Sequence, residues 1–527
     1  MLTPKKPPIR ATGSKTYSEQ ADANLPPGFE QHGVESIPDA DRTSSIVDFM
    51  RLCWGGGNSL ATAVLGAFPI MFGLSFWQAM AANCVGVGVG ALVLGPMAVF
   101  GPLNGTNNAV SSSAHFGVVG RIVGSFLSLL TAIAFFSISV WSSGDAVVGA
   151  AHAMLGVRES DGLFAAAYAV FAVSVLVVCI YGYGVMLFVN KVAVVASSAL
   201  FLIGLLAFWP SFDSHFSGSH LGWWSATFWP VFVSATLIAL SNPISFGAFL
   251  GDWSRYLPRN TNKAKLIGAT VLAQILTLLP FSFGTLTASI MANQAPAYLE
   301  RADYTGGLLA VSPGWFFAPL FLLAILSGMS TGTTSLYGTG LDFSSVFPRL
   351  SRPRATLLIG LAACALIFVG RFYFTLISSI TTFVSLIVVT TTPWMVIMMI
   401  GYVVRRGYYV PEAMQVFNRG QVGGAYWFKN GWSVPGMIAW VASAVAALLT
   451  VNSPGHFVGW LAQVANVDVS LLAALLLPAI LYPACLYLFP EPRGVFGPRG
   501  PRFVPAAEIP TPPVTEAVAS AARSRAT

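Results

Sequence analysis

From Leu52 to Phe489 one pattern repeats: long, predominantly apolar runs separated by short polar loops. Runs of about 18 residues or more can each cross a hydrocarbon core of about 30 Å as a helix. No other feature constrains the fold as strongly. Charged residues make up only 9% of the sequence, and the mean hydropathy is +0.71. A soluble domain carries charge on about a quarter of its residues. Most of this chain's surface must therefore face lipid. The runs fall near 51–74, 77–100, 122–152, 163–183, 187–209, 223–250, 264–290, 313–340, 355–373, 376–402, 434–451 and 466–489. The expectation is an all-α membrane protein of about 12 transmembrane helices. The third run is too long for one perpendicular span and must tilt or extend past the lipid.

The segments outside the runs complete the outline. Residues 1–50 are polar and Pro-rich, and are expected to form a mostly disordered tail. They do not read as a cleavable signal peptide, so insertion is expected to begin with the first span. Residues 51–489 form the transmembrane domain, and 490–527 read as a Pro- and Arg-containing tail.

Lys and Arg set the orientation. With the N-terminus inside, the inner loops hold thirteen: Arg121, Lys191, Arg255, Arg259, Lys263, Lys265, Arg349, Arg352, Arg354, Arg405, Arg406, Arg419 and Lys429. The outer loops hold three: Arg158, Arg301 and Arg371. Small boundary errors cannot reverse that bias, so both tails are expected in the cytoplasm of a cell-membrane protein. The same distribution argues against nucleic acid as a partner. The net charge of +7 is spread over loops and forms no basic, aromatic-interleaved face. The five cysteines sit in apolar runs with no metal-ligand spacing and imply no disulfide framework.

Helix breakers inside spans are informative, because irregular backbone at membrane depth survives only where it is buried in protein or lines a cavity. Span one carries Gly55, Gly56, Gly57, Asn58 and Ser59 in succession. Three glycines cost about 3 kcal/mol of helix propensity against alanine. Span six carries Ser241, Asn242 and Pro243, then Gly247 and Gly251. Each break alone reads as packing glycines or a proline kink. The matched pair, five spans apart with an Asn beside each breaker, points to an inverted-repeat transporter with a midplane site. Gly86, Gly88 and Gly90 in span two lack polar neighbours and read as a packing ridge.

In span eight, Ser327, Ser330 and Thr331 fall at i, i+3 and i+4, on one face. With the carbonyls of Gly56 and Ser59 they compose a neutral oxygen cage for a monovalent cation. The same hydroxyls also suit bonds to the preceding turn or between helices. Intramembrane carboxylates are expensive and therefore candidates for function. Asp145 is the deepest. It fits a proton site, or a buried bond to the span-ten hydroxyls Thr390 and Thr391. Asp252 and Asp342 lie at the inner ends of spans six and eight. Asp252, close to Arg255 in "GDWSRYLP", reads as an ion pair or a helix cap. No nucleophile, metal cluster or phosphate loop stands out, so an enzyme is not expected. Nor does the sequence offer the pore-lining ring of a channel.

Four segments carry a family resemblance: "GGGNSLATAVLGAFPIMFGLSFWQAM", "FGPLNGTNNAVSSSAHFGVVGR", "NPISFGAFLGDWSRYLP" followed by "NKAKL", and "STGTTSLYGTGLDFSSVFP". In this order and spacing, from about Leu52 to Tyr402, the chain resembles the nucleobase:cation symporter family, the purine–cytosine permease group that includes allantoin and hydantoin carriers. The resemblance implies a LeuT-like 5+5 inverted repeat plus two C-terminal helices. Repeat one is then 51–209, repeat two 223–402, and the extra helices 434–489. It also implies a cation site at Gly56, Ser59, Ser327, Ser330 and Thr331. The implied substrate site is Asn58, Phe135, Ser139, Asn242, Pro243, Gly332 and Thr333. Phe135 offers a ring for stacking, and the two asparagines offer amides for the edge of a planar heterocycle. Many relatives carry a second aromatic on helix six; Asn242 and Pro243 stand there in this chain. The implied activity is import of a nucleobase or similar heterocycle with Na+ or H+ and no organic cofactor. The alternative on the same architecture is another solute, such as an amino acid, thiamine, allantoin or a hydantoin.

Overall fold

The computed structural model describes residues 30, 32–223, 225–347, 350–373, 376–453, 457–465 and 468–516. Span one consists of two helices, α1 (Ile46–Gly57) and α2 (Leu60–Met71). Span two is α3 (Phe76–Leu94), prolonged by tighter turns to Asn104. Spans three to five are α4 (Ile122–Leu155), α5 (Asp161–Tyr181) and α6 (Tyr183–Phe208). Span six is again double, α7 (Phe228–Ser245) and α8 (Leu250–Ser254), and span seven comprises α9 (Lys263–Ile275) and α10 (Leu278–Gln294). A short helix, α11 (Tyr304–Val311), leads into span eight, α12 (Phe317–Val346). Spans nine to twelve are α13 (Arg352–Tyr373), α14 (Leu376–Val404), α15 (Val434–Leu449) and α16 (Ser470–Leu488). Ten stretches are long and apolar enough to cross a membrane. Counting the interrupted span one and the shorter α15 brings the described residues to the expected twelve. The long third run is a single helix of 34 residues.

Capping explains several span starts. Ser45 and Asp48 close a reciprocal capping box on α1, and Ser75 and Gln78 close another on α3. Ser160, Asn262 and Ser433 cap α5, α9 and α15. Each cap satisfies donors that would otherwise be orphaned near the membrane edge.

Packing repeats when spans one to five are exchanged with six to ten. α4 runs along its own counterpart α12. α3 packs on α7, and the equivalent pair, α10 on α2, is present. α5 and α6 lie on α12 as α13 and α14 lie on α4. That is the contact pattern of a five-plus-five repeat. α15 and α16 pack on each other and against α14, outside the repeat. In α3 the ridge is Gly86 and Gly90. An added Cβ would come within 2.4 Å of the Thr236 carbonyl at Gly86 and 2.9 Å of the Leu240 carbonyl at Gly90. Gly88, half a turn away, meets nothing.

The N-terminal segment departs from expectation. Val34 and Ile37 are buried, and so are Arg42 and Ser44. The N–H of Glu30 donates to the Tyr181 carbonyl at 3.1 Å, Ile37 to Gly105 at 2.9 Å and Ser44 to Tyr256 at 3.1 Å. These bonds place the ends of spans two, four and six on the face where the chain begins, as twelve alternating spans require. Residues 30 and 32–45 are therefore a folded strap, held by two apolar anchors and several buried polar ones. Residues 1–29 and 31 lie outside the described residues. The C-terminal tail also folds back. Glu491 pairs with Arg405, Val495 and Phe496 are buried, and Thr515–Glu516 pairs antiparallel with Gln421–Val422. On the opposite face, Trp77, Trp209, Trp223, Trp229 and Trp315 are exposed at span ends, where amphipathic rings mark a membrane interface. Of the basic residues used for orientation, Lys191 sits exposed within α6 rather than in a loop, and Arg349 lies outside the described residues.

Candidate substrate and cation site

The first interruption falls one residue later than the glycines suggest. Gly55, Gly56 and Gly57 complete the last turn of α1; Asn58 (φ −94°, ψ 68°) and the extended Ser59 form the break. Ser59 caps α2 through its hydroxyl, which accepts from the Thr62 N–H at 3.3 Å. Its carbonyl accepts from Ala63 at 3.1 Å. The glycines serve close approach instead. A Cβ on Gly55 would lie 2.6 Å from Ser330 Oγ, on Gly56 2.7 Å from the Phe246 ring, and on Gly57 2.6 Å from the Thr277 methyl. Spans six, seven and eight thus all close onto one turn of span one.

The second interruption is also displaced. Ser241, Asn242 and Pro243 remain in α7, and helical geometry is lost over Phe246–Phe249, around Gly247. Proline removes only one hydrogen bond, and two residues from the end of α7 the chain absorbs it. The two breaks adjoin. Phe246 lies against Gly56, and Asn242 Nδ2 is 3.4 Å from where a Gly57 Cβ would sit.

Each expected substrate residue can now be placed. Asn58 is fully buried; its amide nitrogen donates to Ser197 and Ser198, both at 2.8 Å, and its Oδ1 has no hydrogen-bond partner. Asn242 is buried with Nδ2 unpartnered. Phe135 is half-buried and meets Phe383 edge-on at 6.1 Å. Ser139 donates to the Gly328 carbonyl at 3.2 Å, tying span three to span eight. Three expectations fail. Pro243 packs on Gly90 of span two. Gly332 faces Val175 of span four, where an added Cβ would come within 2.9 Å. Thr333 bonds back to Met329 O at 2.7 Å and accepts from Asn190 of span five at 3.2 Å. On α12 the last two point away from spans one and six.

Two residues escaped the sequence reading. Phe246 supplies a helix-six aromatic inside the break itself, three residues beyond Pro243. Gln274 is fully buried in α9 with both amide atoms unpartnered. It lies one turn before Thr277, the residue that abuts Gly57. An isolated Gln in an apolar run was the available signal.

The cation set divides similarly. Thr331 Oγ1 donates to a first-helix carbonyl at 3.4 Å, but that carbonyl belongs to Gly55, one residue before the expected Gly56. Ser327 is fully buried with its hydroxyl unpartnered. Ser330 is committed to Asn190 Oδ1 at 2.6 Å. Ser59 is occupied as the cap of α2. At the α1–α12 contact this leaves the Thr331 hydroxyl and the Gly55 carbonyl, with Gly56 beside them and the Ser327 hydroxyl one turn before Thr331 on the same face of α12.

The carboxylates complete the picture. Asp145 is half-buried and accepts a short hydrogen bond from Tyr168 of span four. It does not reach Thr390, which bonds back to Leu386, or Thr391, whose hydroxyl is unpartnered. Arg255 does not pair with Asp252. It pairs with Glu30 of the N-terminal strap at 3.0 Å, and Arg352 reaches the same carboxylate at 3.6 Å. The hydroxyls of Tyr256 and Tyr337 also donate to Glu30. Burial pushes the Glu30 carboxyl up, but the two guanidiniums and two hydroxyls together hold it below its ordinary value.

Comparison with known proteins agrees with the fold. A family model described as a permease for cytosine/purines, uracil, thiamine and allantoin matches residues 36–470. The putative purine-cytosine permease YxlA of Bacillus subtilis is 23% identical over 469 residues, covering 85% of this chain and 94% of YxlA. The vitamin B6 transporter TPN1 of Saccharomyces cerevisiae is 25% identical over 303 residues, covering 54% of this chain and 49% of TPN1. Among solved structures, the nucleobase-cation-symport-1 family transporter Mhp1, closed with bromovinylhydantoin bound, superposes with a TM-score of 0.68. It shares 15% identity and covers 88% of this chain and 95% of its own, a likeness of fold. The protein belongs to the family of permeases for cytosine/purines, uracil, thiamine and allantoin.

Proposed function

We propose that this permease carries a nucleobase or related small planar heterocycle into the cell by alternating access, driven by Na+ or H+. The observation that carries the reading is the meeting of the two interruptions: Phe246 against Gly56, Asn242 beside Gly57, and Thr331 reaching the Gly55 carbonyl. Phe246 and Phe135 offer rings to stack on a planar substrate. The unpartnered Asn242 Nδ2 donates to a ring acceptor, Asn58 Oδ1 accepts from a ring N–H, and Gln274 offers one of each. A cation held by Ser327, Thr331 and the end of α1 orders span one against span eight, which shapes the substrate side of the same break. Coupling of this kind is reciprocal, so substrate tightens cation binding by the same factor. Residues 51–209 and 223–402 act as the two repeats, with 434–489 outside them. The thirteen-to-three distribution of Lys and Arg supports cytoplasmic termini in the cell membrane.

The test is uptake of labelled cytosine, hypoxanthine, uracil and allantoin into cells or proteoliposomes, with a sodium gradient, with a proton gradient alone, and with neither. Saturable, gradient-dependent uptake of at least one is expected. Failure of all four to be taken up or to bind would overturn the reading. Uptake of thiamine or an amino acid that excess nucleobase leaves unblocked would transfer the architecture to that solute.

A further inference from the structure

Asp252 and Asp342 are fully buried at the strap-side ends of spans six and eight. Gly338 and Asp342 are one turn apart on the same face of α12, and a Cβ on Gly338 would lie 2.3 Å from Asp252 Oδ2. The two carboxyls are therefore neighbours across the α8–α12 contact, with Asn107 beside both. Both oxygens of Asp252 and Oδ2 of Asp342 have no hydrogen-bond partner. Asn107 Nδ2 donates to Asp342 Oδ1 at 3.1 Å and also lies beside Asp252. Around them stand Asn108 Oδ1, unpartnered and packed on Gly251, and Ser128, whose hydroxyl lies beside Asp342. The cluster is rich in acceptors and poor in donors.

Most of the nearby positive charges are paired elsewhere. Arg255 and Arg352 converge on Glu30, and Arg419 pairs with Glu35 and Glu412. Arg121 donates through Nη2 to the Ser345 carbonyl and to Asn418, its Nε and Nη1 are unpartnered, and its charge acts on Asp342 without a salt bridge. Arg121, Arg255 and Glu30 are the other charged groups that these aspartates feel, and Tyr337 beside them is turned to Glu30. Among the described residues, no basic side chain forms a salt bridge with either aspartate. Two adjacent buried carboxylates with no salt bridge to either repel each other, and binding one proton relieves that repulsion. One bound proton turns an acceptor into a donor.

We propose that Asp252 and Asp342 form an exchangeable proton site that couples transport to H+, an inference that rests on the transport reading above. Asp252 belongs to the short second half of span six, and Asp342 to the long helix of span eight. When α8 parts from α12 on opening toward the strap side, each carboxyl gains water and the bound proton leaves. The step is a proton transfer only: one carboxyl O–H bond breaks, water accepts the proton, and nothing is oxidised or reduced.

The experiment compares wild type, Asp342→Asn and Asp342→Glu in proteoliposomes, with labelled heterocycle, between about pH 5.5 and about pH 8.5. Wild-type net uptake should fall about tenfold or more across that range, as a site that must bind one proton per cycle requires. Asp342→Asn should flatten the profile and lose net accumulation while keeping exchange of external for internal substrate. Asp342→Glu should restore a pH-dependent profile with a displaced midpoint. Asp252→Asn is the parallel variant, should Asp342→Asn fail to insert. The proton site is overturned if the asparagine variants keep the wild-type pH profile. It is equally overturned if they change the sodium requirement and not the pH profile, which would make the cluster a sodium site. Wild type that moves no heterocycle at any pH removes the transport reading itself, a separate result.

Discussion

Span one loses helical geometry over two residues, Asn58 and Ser59, whereas its symmetry mate, span six, loses it over four, Phe246–Phe249. The first break is capped at once by Ser59 and flanked by three glycines pressed against three other spans. The second is looser and carries two phenylalanines, with ring centroids 5.4 Å apart. An inverted repeat supplies the same bend twice, but the side chains divide the labour. The tight break presents carbonyls and small residues, which suit an ion and close packing. The wide break presents rings, which suit a planar solute.

Targeted substitutions break or sharpen that contrast. Gly56→Val carries the largest effect. Its side chain has no room beside Phe246, and overpacking of about 1–3 kcal/mol falls on the junction itself. Uptake at matched surface expression should drop to background, while Gly88→Ala, in open space, should transport normally. Phe246→Ala should weaken heterocycle affinity about ten- to a hundredfold, the scale of losing a stacking ring, with the cation half-saturation unchanged. A shift in the cation term instead would end the division of labour. Asn242→Ala removes one buried donor and should cost about tenfold in affinity, read by competition binding.

On the ion side, Thr331→Ala should raise the sodium half-saturation about tenfold if Na+ is the coupling ion. Ser330→Ala should do less, because that hydroxyl is already bonded to Asn190. Equal effects would restore the original grouping of the two. The smallest effect on uptake at neutral pH is expected from Glu30→Gln, below both breaks. The folded value of Glu30 lies under its ordinary 4.5. Its clasp therefore adds stability at neutral pH, and that stability is lost as pH falls below 4.5 through the folded value. Limited proteolysis of wild type should show the strap released only in acid, and Glu30→Gln should show it released at every pH.

The architecture was legible because its cause is local. Apolar run length, charge bias and matched breakers depend on nothing distant, and they gave twelve spans and a repeat. The site was legible only in outline. Breakers mark a bend to within a few residues, since glycine and proline can persist in a helix whose neighbours hold it; Gly55–Gly57 and Pro243 do so. Which way a side chain faces on α12 depends on the azimuth of a 30-residue helix. Gly332 and Thr333 thus turned toward spans four and five, while Thr331 faces the Gly55 carbonyl of span one. Phe246 was invisible because an apolar residue in an apolar run carries no label until packing places it at the break, whereas Gln274 carried the signal of a lone amide in such a run. The strap was missed for a different reason. Its composition is polar, and its partners are arginines and tyrosines up to 322 positions away in sequence, as for Glu30 and Arg352.

That strap makes the starting point of a recombinant chain matter. Arg255 and Arg352 are both fully buried, and Glu30 is the anion they share. Any shortened version beginning beyond residue 30 leaves two stranded cations where lipid and water meet, a defect of about 3–5 kcal/mol for a broken buried pair. Poor yield from such a version would report a missing counter-ion, with the membrane helices themselves intact.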